Sequence, residues 1–256
     1  MTDDALVARA DHGAVRVLTM NRPAARNALN RELIRALYAA PKAADSDESV
    51  RTVVLTGADP AFCAGVDLKE AASDGLKDFA EFKSNSCISA VAEMRTPTIG
   101  AINGATFTGG LELALGCDFL IASERAVFAD THARVGILPG GGMTARLPQI
   151  VGSAMARRMS MTGEVVDAAC AERIGLVTEV VAHDRLLDRA LELAAQITDV
   201  PRSMMSGLKE IYVTGSAGVI DPALAAEDAI AGAQEHDLAG LAEQFTAVSR
   251  HNKSQL

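Results

Sequence analysis

The chain has 256 residues, enough to bury one sizeable core as a single large domain or a domain with an appendage. Hydrophobic residues make up 49% and charged residues 22%, an ordinary globular composition that excludes a disordered chain; aromatics are scarce at 4% and Trp is absent. The net charge of −9 argues against broad binding to a nucleic-acid backbone, which needs clustered Lys and Arg, but leaves room for one local basic pocket.

The start, Met1-Thr2-Asp3-Asp4, is acidic and lacks the basic and apolar runs of a secretory leader. No uninterrupted apolar stretch approaches the roughly 18 residues that span a bilayer, so a cytoplasmic protein without a membrane role is expected. Residues 5–10 and 14–20 read as two short strands joined at Asp11-His12-Gly13, a hairpin signal. After Asn21-Arg22-Pro23, a helical pattern begins near Asn30 and puts Leu33, Ile34, Leu37 and Tyr38 on one face, with Pro41 expected to end or kink it. Residues 51–56 form a Val- and Leu-rich strand ending at Gly57, and a turn-rich loop runs from Ala58 to about Asp67. Phe79, Phe82, Ile88, Val91 and Met94 recur at helical spacing.

Residues 98–102 read as another strand, with a turn at Asn103-Gly104. Gly109-Gly110 opens a short apolar helix, a strand covers 117–122, and Val127-Phe128 follows. A glycine-dense turn at Gly140-Gly141-Gly142 leads into helical patterns that take over almost completely after Asp184. The economical division is an α/β core over 1–183 with a helical region over 184–256. The four cysteines, Cys63, Cys87, Cys117 and Cys170, are widely separated with no C-x-x-C pair, which argues against a zinc site or disulfide framework and fits a reducing cytosol.

Two segments carry chemistry. In the first, Ala61-Phe62-Cys63-Ala64-Gly65-Val66-Asp67-Leu68-Lys69, small residues let a ligand approach the main chain, and Gly65 permits an unusual φ just before the Val66 N–H. The second, residues 104–114, is a strand–turn–helix junction whose glycines expose unpaired N–H groups at a helix N-terminus, where partial positive charge favours an anion. Glu112 lies three residues after Gly109, about one turn away on the same side. Singly, these features have structural explanations: a tight turn, a first-turn carboxylate facing the helix dipole, solvated loop charges at Asp67 and Lys69, and an Asp118 tied into a buried turn.

Their order and spacing resemble the crotonase (enoyl-CoA hydratase/isomerase) family over nearly the whole chain. The resemblance is carried by Asn21-Arg22-Pro23 through Asn27-Ala28-Leu29, the 62–69 loop, Ala101-Ile102-Asn103-Gly104, residues 109–112, Cys117-Asp118, and Gly136-Ile137-Leu138-Pro139-Gly140. It implies a crotonase-like α/β spiral of ββα repeats with a C-terminal helical trimerisation region, assembled as homotrimers or homohexamers. It implies an acyl-CoA thioester substrate whose carbonyl sits between the backbone N–H groups of Val66 and Gly109, each worth roughly 3–4 kcal/mol to a developing enolate. Glu112 matches the family's first catalytic glutamate. Ala64, Val66, Asp67, Leu68 and Lys69 would line the pantetheine, Arg22 and Arg26 are candidates for the nucleotide end with surface salt-bridging the alternative for either, and Lys209 is a weaker one. No cofactor or metal is implied beyond the CoA of the substrate.

The sequence departs from the family pattern in two places. Hydratases of the family carry a second glutamate in a Gln-Pro-Glu-like stretch twenty residues after the first, and here that position is His132, within Asp130-Thr131-His132-Ala133. A histidine there is either a hydrogen-bonding brace or an acid/base group, and its ordinary pKa of about 6.5 suits proton transfer near neutrality; Asp130 is the weaker alternative. Thr108 stands where the family commonly has glycine, a change expected to have little consequence. The expected activity is hydration of a 2-enoyl-CoA to a 3-hydroxyacyl-CoA. The alternatives are Δ3,Δ2-enoyl-CoA isomerisation with Glu112 as the single base, or a homologue that binds acyl-CoA or a partner without turnover.

Overall fold

The computed structural model of the protein describes residues 5–67, 70, 86–234, 247, 248 and 250. The chain enters through the expected hairpin, with β1 (Val7–His12) antiparallel to β2 (Val15–Met20) and Gly13 supplying the positive φ of 62° at the turn. From β2 the sheet continues in parallel through β3 (Thr52–Gly57), β5 (Thr98–Ile102), β7 (Phe119–Ser123) and β10 (Glu179–Val181). Parallel strands need both faces covered, which is why β3 and β5 are buried almost throughout rather than on alternate residues. A second sheet, in the order β4 (Ala61–Cys63), β6 (Ala105–Phe107), β8 (Val127–Ala129) and β9 (Val166–Asp167), lies beside the same crossovers. Each of β3, β5 and β7 in the first sheet is followed within a few residues by a strand of the second; after β4 and β6 the chain returns directly to the first sheet, and after β8 it does so by way of β9. That is the expected ββα repeat of the crotonase fold.

Helix α1 (Arg31–Ser46) is capped by the Asn30 side chain, which accepts from the Leu33 N–H at 2.9 Å. Of the two outcomes expected of Pro41, an end or a kink, the end does not occur: the helix runs on to Ser46. The apolar face of Leu33, Ile34, Leu37, Pro41 and Ala44 is buried across the proline, and that burial outweighs one missing helical hydrogen bond. Helix α2 (Cys87–Ala92) buries Ile88 and Val91, with Met94 buried just beyond it. Phe79 and Phe82, placed on the same pattern, lie outside the described residues. The strand expected over 117–122 begins two residues later, because Cys117 and Asp118 are spent on a turn in which the Asp118 carboxylate accepts the Thr98 N–H at 2.7 Å.

Helices α3 (Gly109–Leu115), α4 (Met143–Val151), α5 (Ser153–Thr162) and α6 (Ala168–Arg173) pack the main core with the two sheets, around Leu33, Leu37, Phe62, Leu111, Phe128 and Met159. A second core covers the opposite face of the large sheet. There Val15, Val17, Val54, Ile99 and Ile121 meet Leu186, Ala190 and Ala194 of α7 (Leu186–Thr198). The last described helix, α8 (Arg202–Gly232), is different: of its 31 residues only Glu227 is buried. No helix among the described residues is long and apolar enough to cross a membrane.

Candidate active site

The site begins with a buried asparagine. Asn27 accepts the Arg22 N–H at 2.9 Å and donates to the carbonyls of Ala58 and Ala61 at 2.8 and 2.6 Å, pinning the 22–28 turn to the start of β4. This lays Leu29 alongside the loop after β4 in a one-residue parallel bridge: the Leu29 N–H donates to the Gly65 carbonyl and the Asp67 N–H to the Leu29 carbonyl. In such a bridge the middle residue turns its own N–H away from its partner. The Val66 N–H therefore faces the other side, and among the described residues it has no acceptor.

That other side is the N-terminus of α3. Gly109 is its first residue, so the Gly109 N–H has no intrahelical acceptor and lies at the positive end of the helix. The two segments touch: a Cβ added to Gly109 would lie 3.7 Å from Val66 Cγ2 and 3.9 Å from Gly65 Cα. Gly65 has a φ of 91°, and a Cβ there would meet the Thr108 hydroxyl at 2.1 Å, so glycine is required both conformationally and sterically. Thr108 is not the neutral replacement its sequence suggested. Its φ of 46° and ψ of −116° lie in a region that a β-branched residue rarely enters, and the conformation costs about 1–3 kcal/mol.

Glu112, in the first turn of α3, is buried with its carboxylate pointed at the Gly140–142 turn. Its Oε1 accepts the Gly141 N–H at 2.8 Å and the Met143 N–H at 3.3 Å. Oε2 lies 3.9 Å from His132 Nε2. A Cβ at Gly141 would stand 2.6 Å from Glu112 Oε2, so a side chain there would push on the carboxylate. Burial raises the Glu112 pKa; the buried Glu227 charge adds to the rise, and His132 and the two N–H groups oppose it.

His132 follows β8 and is held from behind. Its Nδ1 is 2.7 Å from Asp130 Oδ1, which also accepts the His132 backbone N–H at 3.2 Å. Asp130 is 1% exposed. Burial alone would raise its pKa, but the His132 and Ser160 hydrogen bonds hold it below the ordinary carboxylate value. For His132 itself, burial disfavours the charged ring, and the Glu112 and Asp130 carboxylates more than reverse this, so its pKa is raised. A carboxylate and an imidazole thus face one space, each with its pKa raised above its ordinary value. The neighbouring thiols Cys63 and Cys87 are pushed up to about 12 by burial and offer no thiolate nucleophile.

Val66, Gly109, Glu112 and His132 open onto one cavity of about 1320 Å³. Of the residues singled out in the sequence, Arg26, Ala64, Val66, Gly109, Glu112, His132 and Lys209 line it. Arg22 and Asp67 do not: they pair with each other at 3.1 Å, and Arg22 also donates to the Ala28 carbonyl. Lys209 is committed as well, 2.8 Å from the Asp118 carboxylate. Leu68 and Lys69 lie outside the described residues. Arg146 and Glu227 went unnoticed in the sequence. Arg146 lines the cavity and donates to the Gly141 carbonyl at 2.8 Å; burial lowers its pKa against the charges of Glu112, Glu227 and Glu93. Neither sits in a motif; Arg146 follows the glycine-dense turn by one helical turn, and that segment, which both contact, is the signal the sequence offers.

An α/β spiral of this kind, with Val66, Gly109 and the buried Glu112 and His132 on one cavity, is that of a crotonase-type protein. The chain belongs to the enoyl-CoA hydratase/isomerase family, whose model matches residues 10–238. It is 46% identical over 199 residues to a probable enoyl-CoA hydratase of Rhizobium meliloti (strain 1021), covering 76% of each chain. It is 36% identical over 202 residues to the mitochondrial enoyl-CoA hydratase of Pongo abelii, covering 79% of this chain and 70% of that one. Among solved structures it resembles the enoyl-CoA hydratase from Mycobacterium tuberculosis H37Rv, with a TM-score of 0.81, 46% identity, and coverage of 89% of this chain and 98% of that one. The enoyl-CoA hydratase from Mycobacterium smegmatis is similar at a TM-score of 0.79 and 47% identity, with coverage of 89% and 97%.

Proposed function

We propose that the protein is an enoyl-CoA hydratase, a lyase that adds water across the double bond of a 2-enoyl-CoA. The observation that carries this reading is the pairing of Glu112 Oε2 with His132 Nε2 at 3.9 Å on the cavity that the Val66 and Gly109 N–H groups also line. Hydration needs one group to take a proton from water and another to deliver one to the α-carbon, and this pair supplies both.

The thioester oxygen accepts from the Val66 and Gly109 N–H groups, which draws electron density from the conjugated double bond. Glu112 takes a proton from water as the water oxygen bonds to the β-carbon, and the negative charge passes to the thioester oxygen as an enolate. Imidazolium His132 gives its Nε2 proton to the α-carbon, and the enolate collapses to the 3-hydroxyacyl thioester. Protonated Glu112 then returns its proton to Nε2, and the pair is reset with one water consumed. Asp130 keeps a proton on Nδ1, so that Nε2 is the nitrogen that exchanges.

The thioester carries its own activation, so no separate cofactor is required. Ala64 and Val66 would contact the pantetheine, with Leu68 and Lys69 continuing that stretch; Arg26 is the cation left to meet the nucleotide end. Assembly into homotrimers or homohexamers would cover the apolar side chains that α8 exposes, among them Ile211 at 70%, Tyr212 at 72% and Ile230 at 65%.

The test is a spectrophotometric assay with crotonyl-CoA and a 3-enoyl-CoA, on the wild type and on Glu112→Gln. Hydration of crotonyl-CoA that falls by about 10²–10⁴-fold in Glu112→Gln is the expected result. Isomerisation of the 3-enoyl-CoA without hydration would replace the reading with the one-base isomerase, and no turnover of either would leave a binding protein.

A further inference from the structure

The N–H groups of four successive residues at the start of α4 are shared between two carboxylates in strict alternation. Gly141 and Met143 donate to Glu112, at 2.8 and 3.3 Å. Gly142 and Thr144 donate to Glu227, at 2.5 and 2.8 Å, and the Thr144 hydroxyl donates to Glu227 as well. Glu227 stands on α8, 83 residues after Thr144, and is 7% exposed on a helix that buries nothing else.

Burying a carboxylate is costly unless its oxygens are hydrogen-bonded, and both Glu227 oxygens are. The arrangement also bears on its neighbour. An unclaimed helix N-terminus is an anion site. Were Gly142 and Thr144 unclaimed, the Glu112 carboxylate would gain by turning both oxygens onto the end of α4. That rotation would take Oε2 away from His132 and out of the cavity. The Glu227 charge also repels that of Glu112, which favours Glu112 remaining proton-accepting rather than settling as a buried capping anion.

We propose that Glu227 is a positioning residue for Glu112: by occupying alternate N–H groups of α4, it keeps Glu112 Oε2 turned into the cavity. The proposal rests on the hydratase reading for its catalytic consequence but not for its structural content. It gives the C-terminal helix a part in the site, because a shift of α8 would be felt at Glu112 through the Gly140–142 turn.

Glu227→Gln keeps the shape but removes the charge and turns an amide N–H₂ toward a backbone donor. Two readouts are taken on the folded variant. In steady-state kinetics with crotonyl-CoA, kcat should fall by roughly 10–100-fold, the scale of a small misplacement of a reacting group, while KM stays within about threefold. In a ¹³C titration of labelled Glu carboxyls, with Glu112 assigned by its loss in Glu112→Gln, the Glu112 midpoint should move to lower pH. The other charged groups facing it, His132, Asp130, Arg146 and Glu93, and Asp221 and Asp228 on α8 itself, stay in place. A fall in kcat with an unmoved Glu112 midpoint would be mere structural damage and would overturn the proposal, as would unchanged kcat. A wild type that does not hydrate enoyl-CoA, yet shows the downward shift in Glu227→Gln, would overturn the hydratase reading and uphold the positioning role. Should Glu227→Gln fail to fold, Glu227→Asp keeps the charge but cannot reach both N–H groups. A smaller change of the same kind is then expected in both readouts, and wild-type values would refute the idea.

Discussion

Adjacent glycines at the start of α3 should answer oppositely to the same substitution. A methyl group at Gly109 would meet Leu29 Cδ1 at 3.6 Å, Val66 Cγ2 at 3.7 Å and Gly65 Cα at 3.9 Å, all ordinary contacts, and its φ is not in the left-handed region. Gly109→Ala should therefore fold, and with fewer unfolded conformations to lose it should gain about 0.4–1 kcal/mol. Leu29 and Val66 line the cavity, so the added methyl occupies the space where the thioester oxygen must approach the two N–H groups. Losing alignment with even one donor costs about 2.7–4 kcal/mol, or roughly 10²–10³-fold in kcat. At Gly110 the methyl would stand 2.2 Å from the Cys63 carbonyl oxygen and 2.8 Å from Cys63 Cβ, so the end of β4 must move. Gly110→Ala should lose about 1–3 kcal/mol or more from overpacking. Urea denaturation gives the stabilities, and decay of the conjugated enoyl-thioester absorbance gives the rates. Wild-type turnover in folded Gly109→Ala would remove the N–H pair from the mechanism. A Gly110→Ala protein as stable as Gly109→Ala would refute the packing argument.

Thr108→Gly should stabilise the protein by about 1 kcal/mol in the same denaturation experiment, because relief of the strained φ exceeds the entropy cost of glycine. Asp130→Asn removes a charge that helps raise the His132 pKa, so the alkaline limb of the hydration rate, where the imidazolium is lost, should move to lower pH. The stability profile should change with it. The raised His132 pKa contributes stability that is fully present below 6.5 and is lost as pH rises through the folded value, and Asp130→Asn should flatten that loss in pH-dependent thermal melts. Arg26→Ala should raise KM for acyl-CoA with kcat nearly unchanged, whereas Arg22→Ala, which breaks the pair with Asp67, should lower the melting temperature; the reverse assignment would refute the reading of the cavity. Light scattering should give the mass of three or six 26.7 kDa subunits, and a single-subunit mass at working concentration would count against a covered α8 face.

The local grammar of this protein was legible in its residues. Runs of Val and Leu announced the buried parallel strands, Asn30 announced the start of α1, and Gly65 and Gly109-Gly110 marked where the backbone would be laid bare beside Glu112. Those signals survive because period, capping and glycine freedom act over a few residues. Local rules let Pro41 end or kink α1 and gave Thr108 little consequence, but burial of the whole α1 face carries the helix past Pro41, and Thr108 is held at a strained φ beside Gly65. What only the tertiary structure decided is which charges are occupied. Arg22 is taken by Asp67 across 45 residues and Lys209 by Asp118 across 91, pairings that no local motif announces. Glu227 is brought by the packing of α8 to the same helix end as Glu112, and His132 is set between Glu112 and Asp130 by where β8 ends. Ion pairs and buried carboxylates depend on distances between segments far apart in the chain, and the sequence pattern around each member carries no record of its partner.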